Sequence, residues 1–281
     1  MPRIAYAPAA PEAPSLEQAQ RLFEGVIARF TDLLVTVPDG GASAIGVWSV
    51  RDVAVHVSHV IGWDADMAAG RSVPGFTDFS EIAVHTNRLV AEDPERDLAA
   101  LARRITSRAE EFLATTSELG PEGRARWNGF ELPVGALLCH SLADVAVHGF
   151  DIGRAIRQPV TIRPAEANAM FAGFMVPFAH AAEVTELMDR ERLPRGPLCI
   201  DIRLRRGTRM FFVVEDQKFR VEAPSQRAVD LHISAEPVAL LLFLFERISR
   251  VAPLLRGRFL AWGPHPLRAL RFMSQMRALM P

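Results

Sequence analysis

The chain has 281 residues, 49% hydrophobic and 23% charged, with a formal net charge of -1, so it can hold two domains, and the lack of a positive excess argues against a nucleic-acid partner. Two cysteines, Cys139 and Cys199, lie in segments that read as buried and supply neither a disulfide framework nor a Cys-rich zinc module, which fits a reducing cytoplasm. The longest apolar run, residues 238–245, is far shorter than the ~20 residues of a spanning helix, and the Ala/Pro-rich start MPRIAYAPAAPEAPS reads as a loose leader and not a signal peptide, so neither a membrane nor a nucleic-acid partner is expected.

Residues 15–37 place Leu16, Ala19, Leu22, Phe23, Val26, Ile27, Phe30 and Leu33 at the spacing of an amphipathic helix, with Ser15 as its N-cap. After the turn-rich residues 38–46, the segment WSVRDVAVHVSHVIGWDADMAAG starts a second helix at Ser49 that carries His56 and His59. Residues 79–92 and 97–119 read as further helical segments, the second an Arg/Glu-decorated amphipath. Residues 120–129 break the pattern, and Pro133 stands in the first turn of a helix that reaches about Ile156. Helices joined by moderate loops make an antiparallel bundle the economical arrangement.

Composition changes after Gln158. Residues 163–187 still read as a helix that could belong to either side of a boundary, but LCIDIRLRRGTRMFFVVEDQKFRVEA alternates apolar and polar residues as a strand, a turn at Arg206-Gly207 and a second strand, with a third beginning near Phe219. Then AVDLHISAEP reads as a strand, VALLLFLFERIS as a buried helix, LLRGRFLAWG as a strand and PHPLRALRFMSQMRAL as a closing helix. The expected fold class is α plus α+β: a helical bundle over residues 1–160 and a smaller α+β domain over residues 161–281.

One stretch of the fifth helix could carry chemistry. In LLCHSLADVAVHGFDIG, residues His140, Asp144, His148 and Asp151 follow at steps of four, four and three. Side chains four apart on a helix are neighbours that can share one ion. Asp144 can therefore pair with His140 or with His148, whereas the two histidines stand ~12 Å apart along the axis and cannot share. A catalytic zinc site generally needs three protein ligands, so the third must come from elsewhere, and His56 or His59 on the second helix is the source at hand. The competing interpretation is a solvated polar face with a core histidine satisfied by the backbone.

The segment WSVRDVAVH, ending at His56, followed by the H-x-x-x-D-x-x-x-H-G-x-D run from His140 to Asp151, resembles the DinB-like superfamily, in particular its mycothiol-dependent maleylpyruvate isomerase branch. The resemblance covers roughly the first 155 residues. It implies a four-helix bundle with a divalent metal, usually zinc, held by His56, Asp144 and His148, and it leaves His59 and His140 as neighbours. The chain departs from the branch at Asp144, where the branch has Glu, one methylene longer. Asp151 is placed to orient a ligand histidine or to pair with Arg154, and Asp52 to compensate the helix N-terminus. Trp48 and Trp63 read as core aromatics.

The second half resembles a sterol-carrier-protein type-2-like domain on weaker motifs near Asp230 and over residues 255–258. That resemblance implies a sheet covered by helices over an apolar tunnel. Residues 240–245 with Phe272, Met273 and Met276 would line it or build the core, and Arg256 and Arg258 could fork a carboxylate or lie at the surface. The resemblances together imply a cytoplasmic metal-dependent isomerase or transferase, a monomer or homodimer, using mycothiol or a similar thiol on a small electrophilic substrate. The alternative is a non-catalytic carrier of an apolar ligand with a vestigial metal site.

Overall fold

The computed structural model describes residues 13–71, 79–181, 194, 196–216, 218–249 and 251–267. They fall into two compact units, one helical from Pro14 to Ala181 and one built on a sheet from residues beyond 181.

In the helical unit four long helices carry the core: α1 (Leu16–Thr36), α2 (Val50–Ala68), α4 (Leu98–Leu119) and α5 (Val134–Ala155), with α3 (Phe79–Glu92) beside α2. Each of α1 and α2 packs on both α4 and α5, so the four close a ring. The expected caps are in place. Ser15 and Ser49 each accept from the backbone N–H three residues on, and the side chains of Gln18 and Asp52 answer with the cap backbone. Asp52 is thereby a capping residue and not part of a site. The apolar stripes meet at fully buried rings and leucines, among them Phe23 and Phe112, whose rings cross edge-on at 5.6 Å.

Two short hairpins interrupt the helices. Strands β1 (Ser43–Ile45) and β2 (Trp48–Ser49) pair just before α2, and β3 (Arg124–Trp127) pairs with β4 (Phe130–Pro133) just before α5. The second hairpin occupies the stretch expected as a plain break, because Asn128 and Gly129 both take positive φ, 45° and 90°, and make the tight turn that right-twisted strands favour.

The helical unit extends past the boundary expected at residue 160. After α5 come α6 (Pro164–Ala169), a π-helical segment (Met170–Met175) and α7 (Val176–Ala181). They stay with the bundle because Glu166, Ala167 and Phe171 are buried and Glu166 pairs with Arg29 of α1. The remainder of the helix expected over 163–187 lies outside the described residues.

The second unit is a five-stranded sheet in the order β7-β6-β5-β8-β9, from β5 (Leu198–Leu204), β6 (Arg209–Glu215), β7 (Lys218–Glu222), β8 (Leu231–Ala235) and β9 (Phe259–Trp262). Only β5 and β8 run parallel among these pairs. One face buries Ile200, Ile202, Met210, Phe212, Leu231 and Ile233. On the other, Asp201 accepts from Arg203, Arg209 and His232; burial opposes its ionisation, but these donors win and bring its pKa down to about 2. Helix α8 (Pro237–Leu244) puts Leu240, Leu241, Leu242 and Leu244 into the core. The strand expected over 254–263 starts late, since a helical turn α9 (Ala252–Leu255) precedes it. Arg258 faces Glu236 at 3.7 Å. The expected leader and closing helix, with Phe272, Met273 and Met276, lie outside the described residues.

Among the described residues no helix is long and apolar enough to cross a membrane. Cys139 and Cys199 are free and buried, and burial pushes their thiols up to about 12 and about 11. Because the thiolate is the reactive form, the folded protein at about pH 8 resists iodoacetamide at both positions, whereas in guanidinium both alkylate; mass spectrometry of the intact chain reads the difference.

Candidate metal centre

The capping box at Ser49 fixes where α2 begins, and His56 follows two turns in, on the side that faces α5. From α5, Asp144 and His148 come to the same point, being four residues apart on one helix face. Asp144 Oδ1 lies 3.4 Å from His56 Nε2 and 3.6 Å from His148 Nε2. One ligand atom from each of the three lies within 4.8 Å of the others. The two imidazole rings meet edge-on at 4.8 Å, and the indole of Trp48 tilts over them, 4.9 Å from His56 and 6.2 Å from His148. Trp48 is held by donating its indole N–H to Asn87, so it walls the site and is no ordinary core aromatic.

The charges suit donors. Burial lowers the pKa of His56 despite the nearby carboxylate, so the ring is neutral at neutral pH. Burial works the other way on Asp144, yet attraction to His56 and His148 outweighs it and holds the carboxyl well below its usual range, as the anion. The cluster is also short of partners. Among the described residues, His56 Nδ1, Asp144 Oδ2 and His148 Nδ1 are buried without a hydrogen bond, which costs free energy in a dry interior. Asp151 Oδ2 stands 3.2 Å from His148 Nδ1, but their alignment makes no hydrogen bond.

This donor set fits a divalent ion. Two donors at ~2.0–2.1 Å from a tetrahedral ion stand about 3.3–3.4 Å apart, close to the observed 3.4 and 3.6 Å. Two imidazole nitrogens with one carboxylate are ligands that zinc accepts. Asp144, despite its shorter side chain, brings Oδ1 to 3.4 and 3.6 Å from the two ring nitrogens.

The other histidines go elsewhere. His59 bonds Asp93 at 2.9 Å, and Arg104 clamps the same carboxylate. His140 turns to Asp64 on α2, Nδ1 to Oδ2 2.7 Å, and Ser141 Oγ and Trp127 Nε1 donate to the same carboxylate at 2.6 and 3.2 Å. This network was not anticipated. A signal existed, since Asp64 falls seven residues after Val57 and three after Ile61, on the inward stripe of α2.

Comparison with known proteins matches residues 23–153 to the family model described as the mycothiol maleylpyruvate isomerase N-terminal domain. The matched span, just under half of the chain, is similar to this family's N-terminal domain. His56, Asp144 and His148 all lie inside the matched span. Two crystal structures of mycothiol-dependent maleylpyruvate isomerase, one of a histidine-to-alanine mutant, align with TM-scores of 0.52 and 0.55, each over 90% of this chain and 96% of that one at 15% identity. The maleylpyruvate isomerase fold, a helical domain followed by a sheet-containing part, is therefore shared along nearly the whole length. No curated protein matches the chain by sequence.

Proposed function

We propose that the protein is a divalent-metal-dependent isomerase or transferase that uses a low-molecular-weight thiol, mycothiol or a relative, on a small electrophilic organic acid. The observation that carries this reading is the convergence of His56, Asp144 and His148 from two helices on one point. A zinc or similar ion held there would lower the pKa of a bound thiol or water and supply a nucleophile at neutral pH.

The chain's own residues prepare for that ligand. His56 and Asp144 already have the protonation states that coordination needs, so no proton must leave them first. The three donors contribute a single negative charge, which leaves a divalent centre net positive toward an anionic sulfur or carboxylate. Asp151, 3.2 Å from His148 Nδ1, would accept a hydrogen bond from that N–H after a small turn of the ring, leaving Nε2 as the donor atom. Trp48 closes one side of the cluster to water. Two unpaired thiols suit the reducing cytoplasm in which such a cofactor is kept reduced.

The experiment is an isomerisation assay with maleylpyruvate, the zinc-loaded protein and mycothiol, following substrate loss by absorbance. Turnover that requires both metal and thiol is the expected result. A protein that holds zinc but turns over nothing in mycothiol's presence would limit the reading to a metal-binding domain.

A further inference from the structure

Asp64 is 1% exposed near the C-terminal end of α2, yet it is ionisable and accepts three hydrogen bonds from two other elements. A buried carboxylate with this many donors is costly to assemble unless it holds something in place. What it holds is the ring of His140. With Nδ1–H donated to Asp64, the imidazole is fixed as one tautomer, and its Nε2 keeps a free lone pair.

The opposite edge of that ring is open. His140 is 25% exposed where its anchor is 1% exposed, and among the described residues nothing bonds its Nε2. Residues 140, 144 and 148 share one face of α5, and four residues rise ~6 Å along a helix, so His140 stands one turn from the His56–Asp144–His148 cluster. Its surroundings are built from aromatic side chains. Trp127 crosses the ring at 5.0 Å and Phe174 at 4.9 Å, with Phe178 stacked behind Phe174 at 5.5 Å. Phe174 comes from the π-helical segment, a distortion that recurs at functional sites because the extra residue re-aims a side chain.

We propose that His140, oriented by Asp64, is the proton acceptor of this site: its Nε2 takes the proton that a thiol gives up on binding beside His56, Asp144 and His148. The inference rests on the metal-and-thiol reading above. In the step the S–H bond breaks, sulfur keeps the electron pair, the proton forms a new N–H bond at Nε2, and Asp64 balances the imidazolium. The ring needs no change of tautomer for this, because its Nδ1–H is already given to Asp64. The electrostatics agree. Burial lowers the pKa of His140, but the charge and hydrogen bond of Asp64, with the charge of Asp144, outweigh it and leave the pKa raised. Among the described residues, His56 on α2 also lies within electrostatic range, and its own burial keeps it neutral.

A tie between helices would use the same hydrogen bond, so the test must keep the tie and remove the base. His140→Asn does so, since its amide N–H stands where Nδ1–H stood while Nε2 is gone; His140→Gln, whose amide fills the Nε2 position without a basic nitrogen, is the second variant. The full chain, loaded with zinc, is titrated with 2-mercaptoethanol by calorimetry at about pH 8, in buffers of different ionisation enthalpy, which reads the protons released per thiol bound. Wild type releases close to none and both variants about one, with zinc content unchanged. Equal proton release in wild type and variants overturns the proposal while leaving the metal reading intact. Zinc lost from both variants makes His140 a structural residue and also overturns it. Zinc absent from wild type removes the metal reading, and this inference with it.

Discussion

His148→Ala leaves the protein without stoichiometric metal. Wild type, loaded with zinc and dialysed, retains about one ion per chain, and the variant retains roughly a tenth of that or less, because two ligands from different helices do not make a closed zinc site. Asp144→Ala has the same outcome, since Asp144 Oδ1 is the atom both imidazole nitrogens approach, at 3.4 and 3.6 Å. His59→Ala is the control: its ring belongs to Asp93 and its loss leaves the metal in place. Acid releases the ion too, and the sign follows from His56. Protons and metal compete for its ring, and burial lowers its pKa below the ordinary 6.5, so the ion persists into mildly acidic solution and dissociates as His56 titrates. Elemental analysis across the variants and the pH series reads all of this. Undiminished zinc in His148→Ala would refute the assignment of the centre.

Asp64→Ala destabilises the helical unit by about 3–5 kcal/mol, the usual cost of deleting one partner of a buried charged network. The carboxylate is buried and serves His140, Ser141 and Trp127 at once. Removing it strands an imidazole N–H, a hydroxyl and an indole N–H in the interior, each unable to reach water. Asp64→Asn costs less, because the amide oxygen still accepts. Ser141→Ala costs about 1 kcal/mol, one hydrogen bond from a partner that stays otherwise satisfied. Urea denaturation followed by tryptophan fluorescence measures the series, with Trp127 reporting from inside the network. A loss for Asp64→Ala no larger than that for Ser141→Ala would mean the carboxylate is not holding the three donors together.

Much of the helical unit is legible in the order of residues because helical periodicity and capping are local. Ser15 and Ser49 cap where expected, and the stripe from Leu16 to Leu33 packs inward as its spacing implies. The hairpin at β3 and β4 was legible too, in the Asn128-Gly129 pair between Trp127 and Phe130, but it lies inside a stretch whose Gly and charged residues read more simply as a break. The π-helical segment carries no such sign: MFAGFM fits an ordinary helix, and in the fold it packs on α5. The extension of the unit to Ala181 depends likewise on distant partners such as Arg29 and Glu166, 137 residues apart.

On its own, the sequence determined which side chains share a helix face: Asp144 with His148, and both one or two turns from His140, because a rise of 1.5 Å and 3.6 residues per turn leave no freedom in that spacing. Its resemblance pointed to His56 as the third member. Only the tertiary structure decided that His56 reaches Asp144, 88 residues away, while His140 is drawn aside to Asp64 and His59 to Asp93. The sequence does not say which carboxylate each histidine meets. Which one it meets is set by how α2 packs on α5, a matter of core volume and burial summed over many residues that no local pattern encodes.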